Sequence, residues 1–177
     1  AQGLLAVVAT EEVTGSEALT AALDGARLVA VLTQAQDPGN AGTIIRAADA
    51  AGADAVVLVR GSVDPTAPKV VRSTAGSLFH LPVVTGVALD DAVTALHNAG
   101  LTVLAADGRG DFDLFEAESL LEAPSAWLLG NEAHGLPSEA LSRADAVVSI
   151  PIYGKAESLN VAAAAAVCLY ASARAQA

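Results

Sequence analysis

Two five-residue runs made only of aliphatic side chains constrain the fold of this chain most strongly. They are LVAVL at residues 28–32 and AVVLV at residues 55–59. A strand without polar alternation is typical of a parallel sheet covered on both faces, because neither row of side chains meets water. Helical patterns with glycine stops follow these runs, so that strands and helices alternate. The sequence therefore predicts one α/β domain, a parallel sheet in an α/β/α sandwich.

The other expected elements continue this alternation. The apolar run at 2–9 reads as an edge strand or the tail of a linker. Further strands are predicted at 83–84, 101–105, 126–129 and 146–150. Helices are predicted at 16–23, 41–51, 68–79, 90–98 and 159–175, with a weakly helical segment at 114–122.

Composition indicates an aliphatic core. Hydrophobic residues make up 53% of the 177 residues and aromatic residues only 3%. The single cysteine, Cys168, excludes an internal disulfide, fits a reducing compartment, and lies in an apolar stretch that indicates a core position. The longest uninterrupted apolar run, 161–171, is too short for a bilayer span of about 20 residues. With no secretory signal pattern at its start, the chain is expected to be cytoplasmic and away from membranes.

The net charge of −11 bears on the choice of partner. Taken alone it argues against a nucleic acid, because affinity for nucleic acids comes largely from neutralised phosphates. A few positioned arginines can nevertheless act locally on an acidic surface. A basic face can also be supplied by another domain.

The common nucleotide, metal and hydrolase motifs are missing from the sequence. The turn at 37–42 lacks the G-x-G-x-x-G spacing, and Gly-Arg-Gly at 108–110 has no third glycine after it. His80, His97 and His134 are scattered and accompany no H-E-x-x-H pattern, so no metal is expected. No G-x-S-x-G marks a serine nucleophile.

A few polar residues at the predicted turns allow both a structural and a functional interpretation. Asn40 stands where a helix N-cap belongs, and Ser158 could cap the last helix with Asn160 in its first turn. Arg46 lies on a mostly apolar helix and, if buried, needs an anionic partner, which could be Asp49, Glu132 or a ligand phosphate. Taken singly, each of these residues leaves both interpretations open.

Taken together, three motifs resemble those of the SpoU (TrmH) family of RNA ribose 2′-O-methyltransferases, which belong to the knotted SPOUT class. They are N-x5-R at 40–46, GNE at 130–132 and SLN at 158–160. The resemblance runs from about residue 2 to the end and includes DPTAPKVVRSTAGSLFHLPV. It implies a deep trefoil knot in the C-terminal part, which general topology rules disfavour. It also implies that the knotted turns bind S-adenosylmethionine, with no metal.

The resemblance also assigns site residues. Those matching the catalytic positions are Asn40, Arg46, Glu132, Ser158 and Asn160. Those matching the cofactor-binding positions are Leu104, Ala105, Leu129, Gly130, Asn131, Ile150, Ile152 and Leu159.

Physical chemistry suggests roles for the catalytic set. A guanidinium stays protonated in proteins, so Arg46 is expected to clamp a phosphate next to the target hydroxyl rather than to act as a base. Glu132 would then hold Arg46 or the motif backbone, while Ser158 and Asn160 position the ribose. Lys69, Arg72, Arg109 and Lys155 either touch RNA phosphates or are ordinary solvated charges.

The resemblance further implies rRNA or tRNA as substrate and a homodimer with its sites at the subunit interface. The Ala-rich last helix, apolar nearly all round, is expected in that contact. Residues 27–177 are then the methyltransferase domain, and 1–26 a linker or edge segment after an N-terminal RNA-binding domain. Two alternatives remain open: a non-catalytic knotted RNA-binding or assembly protein, and an unrelated nucleotide-binding oxidoreductase.

Overall fold

The two aliphatic runs form neighbouring parallel strands, β1 (Leu28–Leu32) and β2 (Ala55–Val59), and all ten of their residues are buried. The computed structural model describes residues 13–131 and 135–177. Within these residues the sheet has seven strands, all parallel, in the order β3-β2-β1-β6-β4-β7-β5. The other strands are β3 (Val83–Val87), β4 (Thr102–Ala106), β5 (Phe112–Asp113), β6 (Ser125–Leu129) and β7 (Ala146–Ser149). The predicted parallel α/β sheet is confirmed.

Helices cover both faces of this sheet, because each strand sends alternate side chains to opposite sides. One aliphatic cluster packs α1 (Gly15–Ala22), α4 (Leu89–Asn98) and α6 (Ser138–Arg143) on one face. A second cluster packs α2 (Pro38–Ala50), α3 (Pro68–Thr74), α5 (Glu118–Leu121) and α7 (Val161–Ala175) on the other. No helix in the described ranges has the length and apolarity that a membrane span requires.

The predicted element boundaries differ from the observed ones at several places. The helix expected over 68–79 breaks at Ala75 and Gly76, which have φ angles of 52° and 107°, and resumes as a 3-10 turn at Ser77–Phe79. The strand expected at 83–84 is five residues long. Only residues 118–121 of the segment 114–122 are helical, and β5 and α6 were not expected from the sequence.

The described part of the first 26 residues belongs to the same core as the rest. Thr14 pairs with Thr85 of β3, and α1 buries Leu19 against the sheet, followed by the buried Leu23. Residues 13–26, for which a linker or edge segment was expected, thus contribute part of one helical layer. The expected edge strand at 2–9 lies outside the described residues.

The strand order brings four loop segments together at one edge of the sheet. Because the strands are parallel, all of their carboxyl ends lie at this edge. The segments after β1, β6, β4 and β7 are neighbours there, since these strands are adjacent in that order. Helix α7 starts at this edge and ends at the other. Trp127 Nε1, from the middle of β6, donates to Ser172 Oγ at 2.9 Å, and Gln176 Nε2 donates to the carbonyl of Ala123, just before β6, at 2.9 Å.

Candidate active site

A pocket of about 710 Å³ opens at the carboxyl edge of the sheet, within the described part of the chain. Its walls come from the ends of β4, β6 and β7 and from the start of α7. The lining consists of residues 106–108, 130, 131, 135, 148–152, 157–161 and 164. The second and third sequence motifs, as far as they are described, therefore border one cavity.

The turn after β6 forms one wall of this pocket. Asn131 and Gly135 exchange two backbone hydrogen bonds, of 2.9 and 2.8 Å, which close the turn. Gly130 packs so closely on the backbone of Gly135 that a Cβ at position 130 would collide with it. The Asn131 side chain donates from Nδ2 to the carbonyl of Gln34 at 3.0 Å and so ties this turn to the end of β1. Glu132, the third residue of the GNE motif, lies outside the described residues.

The start of α7 forms the opposite wall. Asn160 is the N-cap of this helix: its Oδ1 accepts hydrogen bonds from the backbone of Ala162 at 2.9 Å and of Ala163 at 3.3 Å. Of the two interpretations left open for Ser158, the one in which it caps the helix is therefore wrong. Ser158 lies two residues earlier, exposed, in the pocket lining. Asn160 Nδ2 also donates to Asn40 Oδ1 at 3.2 Å, which joins the third motif to the first.

Asn40 has a different structural position from the one expected. Helix α2 starts at Pro38, and its N-cap is Asp37, whose Oδ1 accepts from the Asn40 backbone at 2.8 Å. This bond is the main reason that the pKa of Asp37 lies below its usual value; desolvation opposes it, and the charge of Lys69, 3.7 Å away, adds to the lowering. With the capping position taken by Asp37, the Asn40 side chain lies in the first helical turn and contacts Asn160.

Arg46 lies about 9 Å further along α2, at 1.5 Å per residue, and is exposed. Because Arg46 is exposed, the condition under which it would need an anionic partner in the protein is not met. Asp49 accepts instead from His80 Nδ1 at 2.8 Å, and the Ser77 hydroxyl and this imidazole lower the Asp49 pKa. No carboxylate within residues 13–131 and 135–177 forms an ion pair with Arg46.

The expected cofactor-binding residues divide into two groups. Five of the eight line the pocket: Gly130, Asn131, Ile150, Ile152 and Leu159.

The other three, Leu104, Ala105 and Leu129, do not line the pocket. They lie in the middle or at the end of β4 and β6 and are no more than 1% exposed. Their side chains pack into the two helical layers, because a strand in a covered sheet turns its side chains to both faces. The pocket begins one to two residues further along each strand, at Ala106 and at Gly130.

Asp107 is a pocket residue that the sequence reasoning missed. Its Oδ1 accepts from the backbone of Arg109 at 2.9 Å and from Arg109 Nε at 3.0 Å, and its Oδ2 accepts from Arg109 Nη2 at 3.3 Å. The side-chain bonds with Arg109 are the main reason that the pKa of Asp107 lies below its usual value. The sequence feature that could have indicated Asp107 is the polar stretch DGRGDFD directly after a predicted strand.

The remaining basic candidates have different surroundings. Lys69 lies beside Asp37 and Arg109 beside Asp107. Arg72 and Lys155 are exposed and, within the described residues, form no ion pair. No group of three or more His, Cys, Asp or Glu residues in the described ranges could hold a metal ion.

Fold and site together define an α/β protein with a pocket for a small ligand at the carboxyl edge of a parallel sheet. A family model described as the SpoU rRNA Methylase family matches residues 27–170. The 23S rRNA (guanosine(2553)-2′-O)-methyltransferase RlmP of Bacillus subtilis is 43% identical over 148 residues, which are 82% of this chain and 57% of that protein. This chain belongs to the SpoU methylase family.

Solved structures agree with this assignment. The SpoU methyltransferase AviRb from Streptomyces viridochromogenes, in complex with the cofactor AdoMet, aligns with a TM-score of 0.75 and 38% identity over 82% of this chain and 59% of that one. A second solved structure, whose description concerns the 2-OH methylation of C/U34 on tRNA, aligns with a TM-score of 0.74 and 33% identity, over 84% of this chain and 95% of that one. The chain spans about half the length of the first curated relatives it matches, from 49% to 57%.

Proposed function

We propose that this chain is the catalytic domain of an RNA methyltransferase that transfers a methyl group from S-adenosylmethionine to a ribose 2′-hydroxyl of rRNA or tRNA. The observation that carries the proposal is the side-chain bond from Asn160 to Asn40, with Asn160 in the wall of a pocket that the second motif also lines. The bond joins the first motif to the third, and the shared pocket lining adds the second, so that residues from all three motifs lie together. The domain proposed for this activity is residues 27–177.

The residues around the pocket fit S-adenosylmethionine. The volume of about 710 Å³ lies within the range of about 300–1,000 Å³ usual for small-molecule sites. Val148, Ile150, Ile152 and Leu159 supply apolar surface suited to an adenine ring. The backbone of Gly130, Asn131 and Gly135 and the Asp107 carboxylate supply polar groups.

The protein has to align the target hydroxyl with the methyl group and to assist removal of the hydroxyl proton. S-adenosylmethionine supplies an electrophilic methyl group on its sulfonium and needs no metal. Arg46, exposed and charged, binds the phosphate next to the target ribose through its planar fork of donors. Asn40, Ser158 and Asn160 orient the hydroxyl, whose proton passes to that phosphate or to water. Glu132 has the proposed role of holding Arg46 or the backbone of its motif.

The trefoil knot is the topological part of the proposal. Strand β7 lies between β4 and β5, so the segment 107–111 has to cross it. At Gly110 this segment lies so close that a Cβ would be 2.7 Å from Ser149 N and Val147 O. The chain leaving β7 then returns to α7, which packs against β1 and β6. Threading of residues 150–177 through the loop that contains 107–111 accounts for this path, and a crystal structure traced through residues 106–161 tests it.

A homodimer completes the proposed assembly. Four large side chains near the pocket or on α7 are exposed: Ile152 at 39%, Tyr153 at 87%, Leu159 at 42% and Tyr170 at 53%. A second copy would cover such apolar surface, which is costly to leave in water. RNA would be held locally by Arg46, Arg72 and Lys155, since the net charge of −11 repels it at long range. Sedimentation equilibrium tests the dimer.

Incubation with methyl-labelled S-adenosylmethionine and transcripts of rRNA and tRNA tests the activity. Digestion to nucleosides and mass spectrometry should find the label in 2′-O-methylribose. Arg46→Ala should abolish the transfer, whereas Arg174→Ala should not, because Arg174 lies in the last turn of α7 at the opposite edge of the sheet. Label in a base, or RNA binding without transfer, would contradict the proposal; the second result would favour a non-catalytic RNA-binding protein.

A further inference from the structure

Asp107 occupies a position in the pocket that the proposed catalytic roles leave unused. Its backbone is fixed on both sides, since its N–H donates to the Val148 carbonyl at 3.1 Å and its carbonyl accepts from Gly110 at 3.0 Å. Its side chain is only 11% exposed, although it borders the cavity. Its Oδ2 lies 3.9 Å from the point where a Cβ of Gly135 would be, so the carboxylate faces the turn after β6.

We propose that Asp107, held by Arg109, forms the ribose subsite of the cosubstrate pocket and accepts a hydrogen bond from a ribose hydroxyl of the adenosyl group. The proposal rests on the proposed function, because it names the part of S-adenosylmethionine that this wall of the pocket recognises. It adds a binding residue at a position that the three motifs do not include.

The count of hydrogen bonds on the carboxylate gives the first argument. A carboxylate has about four acceptor sites. Both bonds on Oδ1 come from Arg109, and among the described residues Oδ2 accepts only the longer bond of 3.3 Å. One acceptor site thus remains on Oδ2, the oxygen nearer to the turn after β6. A buried acceptor of fixed direction is suited to a single directional donor such as a hydroxyl.

The charges of Asp107 and Arg109 indicate whether the carboxylate binds a neutral hydroxyl or a cationic group of the cosubstrate. S-adenosylmethionine carries a sulfonium and an ammonium group that could also be attracted to a carboxylate. The Arg109 guanidinium lies directly against Asp107, so its repulsion offsets part of the attraction that a second cation would feel toward the carboxylate. A neutral donor does not meet this repulsion. The pair therefore fits a hydroxyl.

Glu157 is the other carboxylate in the pocket lining, but its surroundings differ. It lies in the stretch 152–160, which is exposed throughout, and no hydrogen bond among the described residues fixes its side chain. An exposed carboxylate that no hydrogen bond orients gives little directional selection. The directional acceptor of the pocket is therefore Asp107.

Calorimetric titration of the wild-type chain with four ligands tests the subsite. The ligands are S-adenosylhomocysteine, its 2′-deoxy and 3′-deoxy analogues, and 5′-methylthioadenosine, which keeps the ribose but lacks the amino-acid part. One of the two deoxy analogues should bind about 10- to 100-fold more weakly than S-adenosylhomocysteine, the range for a hydrogen bond to a charged group. Equal affinity for all three homocysteine ligands would overturn the proposal, and this comparison needs no variant.

Asp107→Ala identifies the residue responsible. It should lower the affinity for S-adenosylhomocysteine and for 5′-methylthioadenosine by the same factor. The affinity for the deoxy analogue that the wild type binds more weakly should stay unchanged. Recognition of the ammonium would instead leave 5′-methylthioadenosine unaffected, which would overturn the proposal. Asp111→Ala is the matched control, because Asp111 is an exposed carboxylate of the same loop outside the pocket lining, and its affinities should equal those of the wild type.

Failure of this inference differs from failure of the proposed function. If the wild-type chain binds S-adenosylhomocysteine and methylates RNA, but Asp107→Ala shows no coupling to either ribose hydroxyl, only the ribose subsite is wrong. If the wild-type chain neither binds the ligand nor transfers a methyl group, the proposed function falls and the subsite with it.

Discussion

The side-chain amide of Asn160 donates to the side-chain oxygen of Asn40 across 3.2 Å, between residues that lie 120 positions apart. The same Asn160 side chain accepts from two backbone N–H groups at the start of α7. One residue thus fixes where a helix begins and where it meets the first turn of α2. Capping and site assembly can be separated experimentally, because they use different atoms of the same amide.

Asn160→Ser should keep the cap and lose the bond to Asn40. Serine is a good N-cap residue but too short to reach Asn40, whereas Asn160→Ala loses both interactions. We expect Asn160→Ser to retain the free energy of unfolding within about 0.5 kcal/mol and Asn160→Ala to lose about 1 kcal/mol. Both variants should lower the kcat/KM of methyl transfer at least ~10-fold.

Denaturant unfolding and steady-state transfer measure these two effects on the same preparations. Full activity of the stable Asn160→Ser variant would mean that the contact with Asn40 is not needed by the site.

Arg46→Lys should leave folding intact and reduce methyl transfer. The side chain is exposed and pairs with no carboxylate in the described ranges, so the change in stability should stay within about 0.5 kcal/mol. Lysine keeps the charge but lacks the two-pronged donor geometry that binds a phosphate, and we expect kcat/KM to fall ~10-fold or more. Single-turnover rates measure the change, with Arg174→Lys as control. Unchanged turnover of Arg46→Lys would exclude the phosphate clamp.

Gly42→Ala should destabilise the contact between α2 and α3. A Cβ at position 42 would collide with the Ser73 side chain and lie 2.7 Å from the Val70 carbonyl oxygen. The backbone oxygen cannot turn away, so overpacking of about 1–3 kcal/mol should exceed the gain of about 1 kcal/mol in helix propensity. Urea unfolding measures the difference, with exposed Thr43→Ala on the same helix as control. A more stable Gly42→Ala variant would show that the two helices can separate.

Ser172→Ala should leave a buried donor without its partner. Trp127 and Ser172 are both fully buried, and Trp127 Nε1 donates to Ser172 Oγ at 2.9 Å. We expect a loss of about 1–3 kcal/mol in the free energy of unfolding. Exposed Ser142→Ala should change it by less than about 0.5 kcal/mol. The fluorescence of Trp127, the only tryptophan of the chain, follows the unfolding directly. Equal stabilities of the two variants would contradict the account of how α7 is anchored.

Cys168 should react with thiol reagents only when the chain unfolds. Burial raises the pKa of its thiol to about 12, whereas an unfolded cysteine ionises near pH 8.5. At pH 9 the native chain should therefore be labelled at least ~1000-fold more slowly than the chain in denaturant. The raised pKa also means that its contribution to stability is full below about pH 8.5 and decreases as the pH rises toward 12. Labelling at similar rates in both states would contradict the buried position.

The sequence predicted β1 and β2 to the residue, because an aliphatic run flanked by polar turns has one interpretation in a covered sheet. It was less reliable at helix starts. The stretch DPGN offers two capping residues, and the choice of Asp37 over Asn40 depends on Pro38, whose fixed φ suits the first helical position. Short elements such as β5 and α6 carry too few residues for a periodic pattern.

The site was predictable where it lies in contiguous motifs and not where it depends on strand order. Gly130, Ser158 and Asn160 were found from their motifs, and all three line the pocket. Asp107 becomes a pocket residue only because β4 lies between β6 and β7, an order that the local sequence does not reveal. The sequence also predicted a cofactor contact at Ala105, whereas the pocket lining begins at the next residue. This difference has the same origin, since strand pairing decides where each strand leaves the sheet.

The central claim is that the pocket between the ends of β4, β6 and β7 and the start of α7 binds S-adenosylmethionine. Ultraviolet crosslinking of methyl-labelled S-adenosylmethionine to the wild-type chain, followed by mass mapping of the labelled peptides, tests it most directly. The expected result is label in peptides that contain the pocket-lining residues 106–108, 130, 131, 135, 148–152 or 157–161, and protection by excess S-adenosylhomocysteine. Protected label confined to peptides outside these segments, or no protected label at all, would contradict the claim.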